Sequence, residues 1–337
     1  MKGPVRIAVI GAGLMGLRHC QNIAQHIPGA ELAAVADLDG EAARSGAAFA
    51  PGALATRDYQ KLLSDASIDA IVIASPNITH TAIIEEVAQA RKHIFCEKPI
   101  GVDLSSTDAA LAAVARHGVK LQVGFQRRFD PAYRKARDAI AAGELGAVEL
   151  VVATTRDPKP ATLEQLRRSG GIFLDTAIHD FDSVRFLTGL EAVDVYATGA
   201  GLIVPGAAAE GFVDTALTVL RLNNGGLAAI SNSLRAVYGY DVSIEVMGAA
   251  GKIAIGHERQ VALRRYTAAG VSHDHVYWFL DRFAEAYLRE LVHFVECVTF
   301  DREPEASGAD GRAALVLAEA AARSMKEGRP VPVSDLS

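Results

Sequence analysis

The 337-residue sequence contains little that would suit a secreted, membrane-spanning or nucleic-acid-binding protein. It has only three cysteines, Cys20, Cys96 and Cys297, and this odd, scattered set predicts buried reduced thiols, not a disulfide framework or a metal cluster. No apolar run approaches the roughly 20 residues that span a bilayer, and residues 1–4 lead into a strand pattern without a signal peptide. The net charge of −6 comes without a basic stripe, which argues against a nucleic-acid partner. We therefore expect a cytoplasmic protein.

The first half of the chain alternates β-rich and helical segments. Hydrophobic residues make up 50% of the sequence and charged residues 22%, ordinary values for a globular enzyme whose length allows two domains. Strands are predicted at residues 5–10, 31–36, 70–74, 93–96 and 120–124. Such a βαβ succession predicts an open, doubly wound parallel sheet with its ligand over the carboxyl ends of the strands. We expect this Rossmann domain to occupy residues 1–124.

A glycine-rich hexapeptide follows the first predicted strand and opens the first predicted helix. Its residues are Gly11, Ala12, Gly13, Leu14, Met15 and Gly16. In the G-x-G-x-x-G pattern the first glycine permits a tight turn, the second lets the backbone approach a pyrophosphate, and the third allows close helix–strand packing. The pattern alone is weak, but its position between a strand and a helix predicts a dinucleotide site.

An acidic residue ends the second predicted strand. Asp37 lies 26 residues after Gly11, close to the distance at which an acid binds the adenosine ribose hydroxyls. A carboxylate there repels a 2′-phosphate, so the sequence favours NAD over NADP. The alternative is that Asp37 caps the next helix, but Asp39 is better placed for that role.

Two further strand ends carry polar residues that we expect beside the cofactor. Ser75, Pro76, Asn77 and His80 follow the strand at 70–74, and Glu97 and Lys98 follow the strand at 93–96. The ammonium group of Lys98 could stabilise an alkoxide or share in proton transfer. Without the neighbouring motifs, a solvated surface lysine would be the better interpretation.

The second half of the chain, residues 125–337, has a different pattern. After a helix that ends near residue 142 and a strand from residue 148, strands are expected at about 192–200, 211–222, 226–235, 241–248 and 260–266, with a hairpin turn at 223–226. Consecutive strands without crossover helices predict a mostly antiparallel open sheet in an α/β domain. Helices at about 281–300 and 308–325 close the chain. The small, mixed residues of 226–235 suggest a sheet face that packs against a second copy.

Residues 169–182 supply the candidate for proton transfer. A glycine pair precedes a helical apolar rhythm, on which Asp175 and His179 would lie one turn apart on the same face, continued by Asp182. A carboxylate beside an imidazole can hold the ring and stabilise its charged form. By itself, the pair is better interpreted as an ordinary i,i+4 surface pair, and the other motifs reverse that preference.

These motifs together resemble those of the glucose–fructose oxidoreductase/inositol dehydrogenase/rhizopine catabolism (Gfo/Idh/MocA) family. The resemblance extends over nearly the full chain and is carried by the glycine motif, by Glu97-Lys98-Pro99 and by Asp175-x-x-x-His179. Residues 123–130, 155–158, 169–182 and 236–241 look most like bacterial inositol 2-dehydrogenases. The resemblance implies NAD as cofactor, a homotetramer, and oxidation of a cyclic polyol, myo-inositol to 2-keto-myo-inositol.

The resemblance also implies roles for individual residues. Lys98, Asp175 and His179 match the catalytic positions: His179 takes the hydroxyl proton, Asp175 orients His179 and binds a neighbouring hydroxyl, and Lys98 stabilises the oxyanion. The polyol pocket would add Gln126, Thr155, Asp157, Thr176, Asp182 and Tyr238. Gln126, Thr155 and Phe283 depart from the residues usual in inositol enzymes, so they bear on the choice of substrate.

Three alternatives stay open at this stage. A related enzyme would oxidise scyllo- or chiro-inositol or a pyranose sugar. A non-catalytic NAD-binding regulator would keep the cofactor domain, but it need not retain Lys98, Asp175 and His179 together. A zinc alcohol dehydrogenase is disfavoured because the one close histidine pair, His273 and His275, has no cysteine near it in sequence. We therefore predict no metal site.

Overall fold

The computed structural model describes residues 3–256 and 263–336. The chain forms two compact units: one comprises Met1–Phe129 and Glu285–Leu315, and the other comprises Asp130–Ala284 and Val316–Ser337. This division differs from the single boundary expected after residue 124, because a segment close to the carboxyl end belongs to the first unit.

The first unit contains the expected alternation of strands and helices. Its elements are β1 (Val5–Ile10), α1 (Leu14–His26), β2 (Ala30–Ala36), α2 (Gly40–Ala47), β3 (Leu54–Thr56), α3 (Gln60–Ser64), β4 (Ala70–Ile73), α4 (His80–Gln89), β5 (His93–Glu97), α5 (Leu104–His117) and β6 (Leu121–Gly124). They form a six-stranded sheet in the order β3-β2-β1-β4-β5-β6, and every neighbouring pair is parallel. The predicted doubly wound sheet is confirmed, with one short strand, β3, that the sequence did not indicate.

The elements after β6 are more varied. They are α6 (Pro131–Ala141), β7 (Val148–Arg156), α7 (Leu163–Ser169), α8 (Ile178–Thr188), β8 (Ala192–Ala200), β9 (Thr215–Leu222), β10 (Leu227–Ser233), β11 (Asp241–Gly248), β12 (Gly251–Ile255), β13 (Arg264–Thr267), β14 (Gly270–His273), α9 (Phe279–Arg282), α10 (Ala284–Phe300), α11 (Gly308–Glu327) and β15 (Val331–Pro332). The helix expected at 281–300 is thus two helices. Residues 260–262 of the strand expected at 260–266 lie outside the described residues.

Helix α10 belongs to the first unit because its apolar face packs against the parallel sheet. Leu291, Phe294 and Val295 are buried in the same apolar cluster as the sheet residues Val9 and Phe95. The rings of Phe95 and Phe294 meet edge to face with their centroids 5.9 Å apart. Burying these side chains removes apolar surface that the sheet would otherwise expose to water. Sequence periodicity marks α10 as amphipathic, but it does not show which sheet the apolar face covers.

The second unit contains a seven-stranded sheet in the order β12-β11-β7-β10-β9-β8-β15. Only β7 and β10 pair in parallel; the other pairs are antiparallel, so the mostly antiparallel sheet is confirmed. The expected hairpin turn joins β9 to β10, with Gly225 at a φ of 89°. One face of the sheet buries alternate apolar residues, and in α8 the side chains of Ile178, Phe181 and Val184 are fully buried.

Candidate cofactor and catalytic sites

The glycine loop between β1 and α1 admits no side chain at two of its three glycines. Gly11 has a φ of 93°, and a Cβ there would lie 2.5 Å from the carbonyl oxygen of Ala74. A Cβ at Gly16 would lie 1.9 Å from the carbonyl oxygen of Gly11. A Cβ at Gly13 would meet no atom within 4 Å, so open space adjoins the backbone at the start of α1. That combination fits a dinucleotide pyrophosphate held at a helix N-terminus.

Asp37 stands at the end of β2 and is tied to this loop. Its Oδ2 accepts a hydrogen bond of 2.7 Å from the backbone N–H of Ala12, and its Oδ1 accepts one of 2.8 Å from the N–H of Asp39. The cap of α2 comes from Asp39, which accepts from the N–H of Glu41, as the sequence indicated. Because a carboxylate has about four acceptor positions, Asp37 retains capacity to accept from ribose hydroxyls.

The other predicted cofactor contacts lie in the first turn of α1 and in the segment that follows β4. Leu14 is 54% exposed and Met15 is half-buried in the first turn of α1. After β4, Pro76 is exposed and Asn77 begins a short 3₁₀ turn. The Ser75 and Thr79 hydroxyls lie 2.7 Å apart. All these residues follow strands at the carboxyl edge of the parallel sheet, where such folds bind their ligands.

His80 has a structural contact that the sequence did not suggest. Its buried ring lies between two carbonyl oxygens: Nδ1 is 2.7 Å from that of Pro99 and Nε2 is 2.8 Å from that of Ser75. Burial lowers the pKa of His80, against the effect of these two contacts. The imidazole thus bridges the segments that follow β4 and β5.

Lys98 and Glu97, adjacent at the end of β5, differ in exposure. Lys98 is half-buried and precedes a cis peptide bond to Pro99. The side chain of Glu97 is buried, with Oε1 at 2.7 Å from Nε2 of His19. Both residues are predicted cofactor contacts. The carboxylate of Glu97 contacts His19 of α1. Lys98 follows β5 at the carboxyl edge of the parallel sheet, the edge at which the glycine loop follows β1.

Asp175 and His179 lie in the second unit, where the expected helix has an irregular start. The glycine pair Gly170 and Gly171 has φ values of 84° and 88°, which confirms the expected turn. A π-helical turn then spans Phe173–Ala177, so Asp175 belongs to this wider turn and His179 to the first turn of α8. The helix expected from residue 172 is therefore present, with a π turn inside it that the sequence did not indicate. Such wider turns, with i→i+5 hydrogen bonds, recur at functional sites.

The residue after His179 is a buried acid that the sequence analysis missed. Asp180 is inaccessible to solvent. It accepts hydrogen bonds of 2.7 Å from the hydroxyl of Thr155 on β7 and from Nδ2 of Asn232 on β10. Thr155 and Asn232 are paired neighbours on these two strands, so the carboxylate bridges both strands and fixes the start of α8 on the sheet. The available signal was an acid at a position where the helical pattern calls for burial.

The remaining predicted pocket residues vary in exposure. Thr176 and Asp182 are buried, with only 6% and 1% of their surface exposed, and Asp157 is half-buried. Tyr238 is 55% exposed, and its hydroxyl donates to Asp241. Gln126, which belongs to the first unit, is 2% exposed.

The three cysteines are buried, and each member of the close histidine pair contacts a backbone carbonyl oxygen. Cys20, Cys96 and Cys297 are free and buried, and burial raises the pKa of Cys20 to about 12. Such thiols are poor nucleophiles. Nε2 of His275 lies 2.8 Å from the carbonyl oxygen of Tyr240. Among the described residues, we find no helix with the length and apolar character that crossing a membrane requires.

Comparison with known proteins places this arrangement among oxidoreductases. Residues 5–125 match the family model described as "Oxidoreductase family, NAD-binding Rossmann fold", and residues 133–254 match the "GFO/IDH/MocA C-terminal domain". The chain is 41% identical to the inositol 2-dehydrogenase of Rhizobium meliloti and 38% identical to the myo-inositol 2-dehydrogenase of Thermotoga maritima. In each case the match covers 98% of this chain and 99% of the relative.

A solved structure of an inositol dehydrogenase also matches nearly the full chain, at lower sequence identity. The scyllo-inositol dehydrogenase of Lactobacillus casei, with bound NAD(H) and scyllo-inositol, superposes with a TM-score of 0.91 at 28% identity. The match covers 98% of this chain and 99% of that one.

Proposed function

Because the chain belongs to the Gfo/Idh/MocA family of NAD-binding oxidoreductases, we propose that it oxidises one hydroxyl of a cyclic polyol to a ketone. The substrate we propose is myo-inositol, and the product is 2-keto-myo-inositol. The observation that carries the proposal is full-length similarity at 38% and 41% identity to two inositol 2-dehydrogenases, in a chain that keeps Lys98, Asp175 and His179. Residues 1–124 would form the cofactor domain and residues 125–337 the substrate domain.

The proposed chemistry divides between cofactor and protein. Bound NAD⁺ supplies the acceptor for the hydride that leaves the carbinol carbon. His179 removes the proton of the reacting hydroxyl, while Asp175 orients the imidazole and binds a neighbouring hydroxyl. Lys98 stabilises the negative charge that develops on the substrate oxygen. The anchoring of Asp180 on β7 and β10 supports this assignment, since it restrains the turn that carries His179.

The cofactor preference follows from the glycine loop and Asp37. The helix N-terminus at Gly13 would hold the pyrophosphate, and the Asp37 carboxylate would accept hydrogen bonds from the adenosine ribose. The same negative charge would repel the 2′-phosphate of NADP. Ser75, Pro76, Asn77, Leu14 and Met15 would line the rest of the cofactor site.

Specificity for a polyol would come from several polar side chains. Gln126 and Thr176 can donate to or accept from a ring hydroxyl, and the carboxylates of Asp157 and Asp182 can accept from one. Tyr238 donates its hydroxyl hydrogen to Asp241, so it too can accept. Thr155 already donates its hydroxyl hydrogen to Asp180, so it can offer the substrate only acceptor lone pairs. A site that pairs with each hydroxyl rejects analogues lacking one, because buried polar groups are then left unpaired.

The second unit supports assembly with further copies of this chain. One face of its sheet carries a row of neighbouring side chains, Tyr196, Val219, Ala229 and Val152. Tyr196, Val219 and Val152 are each at least 40% exposed, and Leu217 on the same strand as Val219 is 57% exposed. A contiguous apolar face of this kind is typical of an interface, and we propose a homotetramer built on it.

The buried reduced thiols suit the cytoplasm, where we place the enzyme.

The decisive experiment measures NADH formation by absorbance over a panel of inositol isomers and hexoses, with NAD⁺ and NADP⁺. We expect the highest kcat/KM with myo-inositol and NAD⁺. The bound scyllo-inositol of the Lactobacillus casei relative makes that epimer the second candidate, and a higher value for it would reassign the substrate within the same reaction. No turnover with any polyol, together with tight NADH binding, would instead support a non-catalytic regulator.

A further inference from the structure

Three ionisable side chains from different elements of the first unit meet in its interior. His19 comes from α1, Glu97 from the end of β5 and Glu290 from α10. One nitrogen or oxygen atom of each lies within 4.8 Å of those of the other two. His19 and Glu290 are inaccessible to solvent, and Glu97 is 8% exposed. Charged groups are seldom buried this deeply without partners.

Glu290 is the member of this cluster whose charge needs an explanation. Within the described part of the chain, no N–H or O–H donor lies within hydrogen-bond distance of either of its carboxyl oxygens. Burial, and then the charge of Glu97, raise the pKa of Glu290 well above its ordinary value. Two neighbouring carboxyl groups in a site of low polarity do not both stay ionised. Burial therefore favours the protonated form of Glu290.

The Glu97 carboxyl group contacts His19 with one oxygen and faces Gly124 with the other. Its Oε1 lies 2.7 Å from Nε2 of His19, and because a carboxylate only accepts, His19 donates from Nε2. Its other oxygen lies over Gly124, where an added Cβ would be 3.1 Å from it. One oxygen of the Glu290 carboxyl group lies within 4.8 Å of one oxygen of Glu97, so a protonated Glu290 can donate to this carboxylate.

We propose that Glu290 donates a hydrogen bond to Glu97 from its protonated carboxyl group and is a positioning residue for Lys98. Glu97 immediately precedes Lys98, so holding the Glu97 carboxylate between His19 and Glu290 fixes the backbone that carries the ammonium group. On the other side of Lys98, the carbonyl oxygen of Pro99 lies against the His80 ring. The inference rests on the role of Lys98 in the proposed function.

The other ionisable groups around the cluster do not offer a competing proton donor. Cys96 on β5 is fully buried, and burial raises the pKa of its thiol well above the ordinary value. Burial lowers the pKa of His80 on α4; the charge of Lys98 acts in the same direction and the charge of Glu97 opposes it. From α10, His293 contacts Gln122 through Nδ1 at 2.9 Å, and Nε2 of Gln122 donates to the backbone carbonyl of Glu290.

A bound cation is the alternative occupant, because one imidazole and two carboxylates also form a metal-ligand set. A cation would require both carboxyl groups to be ionised. A proton and a metal ion therefore make opposite predictions for Glu290, which an infrared spectrum distinguishes without substrate.

The test compares Glu290→Gln, which mimics a neutral acid, with Glu290→Ala and with Val295→Ala, a buried truncation on the same helix. The wild-type minus Glu290→Gln infrared difference spectrum at pH 8 should show the carbonyl stretch of a protonated carboxylic acid. With myo-inositol and NAD⁺, Glu290→Ala should lower kcat about 10- to 100-fold with little change in the KM for NAD⁺, since small displacements of a catalytic group cost this much. Glu290→Gln should restore kcat to within about threefold of wild type, and Val295→Ala should lower the Tm without lowering kcat.

Several results would overturn the inference. They are a spectrum without the protonated-acid band, a stoichiometric metal ion in the purified wild type that Glu290→Gln loses, or a kcat for Glu290→Ala equal to that of Val295→Ala. Should Glu290→Ala not fold, the spectrum and the Glu290→Gln kinetics still decide. If the wild type turns over no polyol, the proposed function fails, whereas the spectrum tests the protonation of Glu290 independently.

Discussion

The carboxylate of Asp37 accepts a hydrogen bond of 2.7 Å from the backbone N–H of Ala12. This contact joins the end of β2 to the glycine loop that follows β1, two neighbouring strands of the parallel sheet. The acid that would select the ribose is thereby fixed to the loop that would hold the pyrophosphate. We therefore expect cofactor affinity and cofactor preference to be coupled in this part of the molecule.

Two glycine substitutions should separate cofactor binding from folding. Gly13→Ala should leave the Tm unchanged but weaken NADH binding at least about tenfold, or 1.4 kcal/mol, because its methyl group enters the space next to the helix N-terminus. Gly16→Ala should lower stability by about 1–3 kcal/mol, since its Cβ overlaps the Gly11 carbonyl. Thermal melts and NADH fluorescence titrations measure both. Unaltered NADH affinity in Gly13→Ala would argue against a pyrophosphate at this helix.

Replacing Asp37 should relax the preference for NAD over NADP. Asp37→Ala removes the charge and both acceptor oxygens, whereas Asp37→Asn removes the charge and one acceptor but keeps one oxygen that can accept from the Ala12 N–H. We expect both to lower the ratio of kcat/KM for NAD⁺ over NADP⁺ by about tenfold or more, with Asp37→Asn keeping the higher Tm. If both variants kept the wild-type ratio, the ribose role of Asp37 would be wrong.

His179→Ala should remove the proposed base without removing the cofactor. We expect kcat to fall about 10²- to 10⁴-fold while the Kd for NADH stays within about twofold. Ser183→Ala is the matched control, because its hydroxyl donates to the backbone carbonyl of His179 and its loss leaves the imidazole in place. A collapse of NADH binding in His179→Ala would indicate that the residue is structural.

Lys98→Met should lower the oxidation rate strongly at every pH, since it removes the ammonium group and leaves nothing to titrate in its place. The same substitution at Lys92 is the control. That lysine is 5% exposed and donates to the backbone carbonyls of Asp65 and Ile68, so Lys92→Met should lower the Tm and spare kcat. pH–rate profiles of both variants are the measurement, and near-wild-type rates for Lys98→Met would exclude Lys98 from the chemistry.

The exposed sheet face should control the oligomeric state. Val219→Lys places a charge in the middle of the apolar row, which should dissociate the assembly because a buried unpaired charge at an interface is costly. Light scattering should give the mass of a tetramer for the wild type and a lower mass for the variant. Arg221→Lys, on the same strand, should assemble normally. A wild-type protein that runs as a monomer would reject the interface.

The amino-acid sequence determined those features that depend on neighbours along the chain. The strand–glycine loop–helix order, the cap of α2 by Asp39 and the turn at Gly170 and Gly171 follow from backbone freedom, hydrogen-bonding side chains and hydrophobic periodicity within a few residues. The antiparallel character of the second sheet follows from consecutive strands without crossover helices. The roles of Lys98, Asp175 and His179 stay predictions that rest on motif and resemblance.

The tertiary structure decided what depends on distant partners. In the sequence Asp180 is an ordinary polar residue of a helix, and only the fold shows that Thr155 and Asn232 donate to it from two strands. The apolar pattern of the sequence did not indicate the π turn at Phe173–Ala177. Glu290 lies 193 residues from Glu97 in the sequence, yet their carboxyl groups meet because α10 packs against the parallel sheet. Local patterns record which face of an element is apolar, whereas packing selects the element that covers it and therefore which polar groups are buried together.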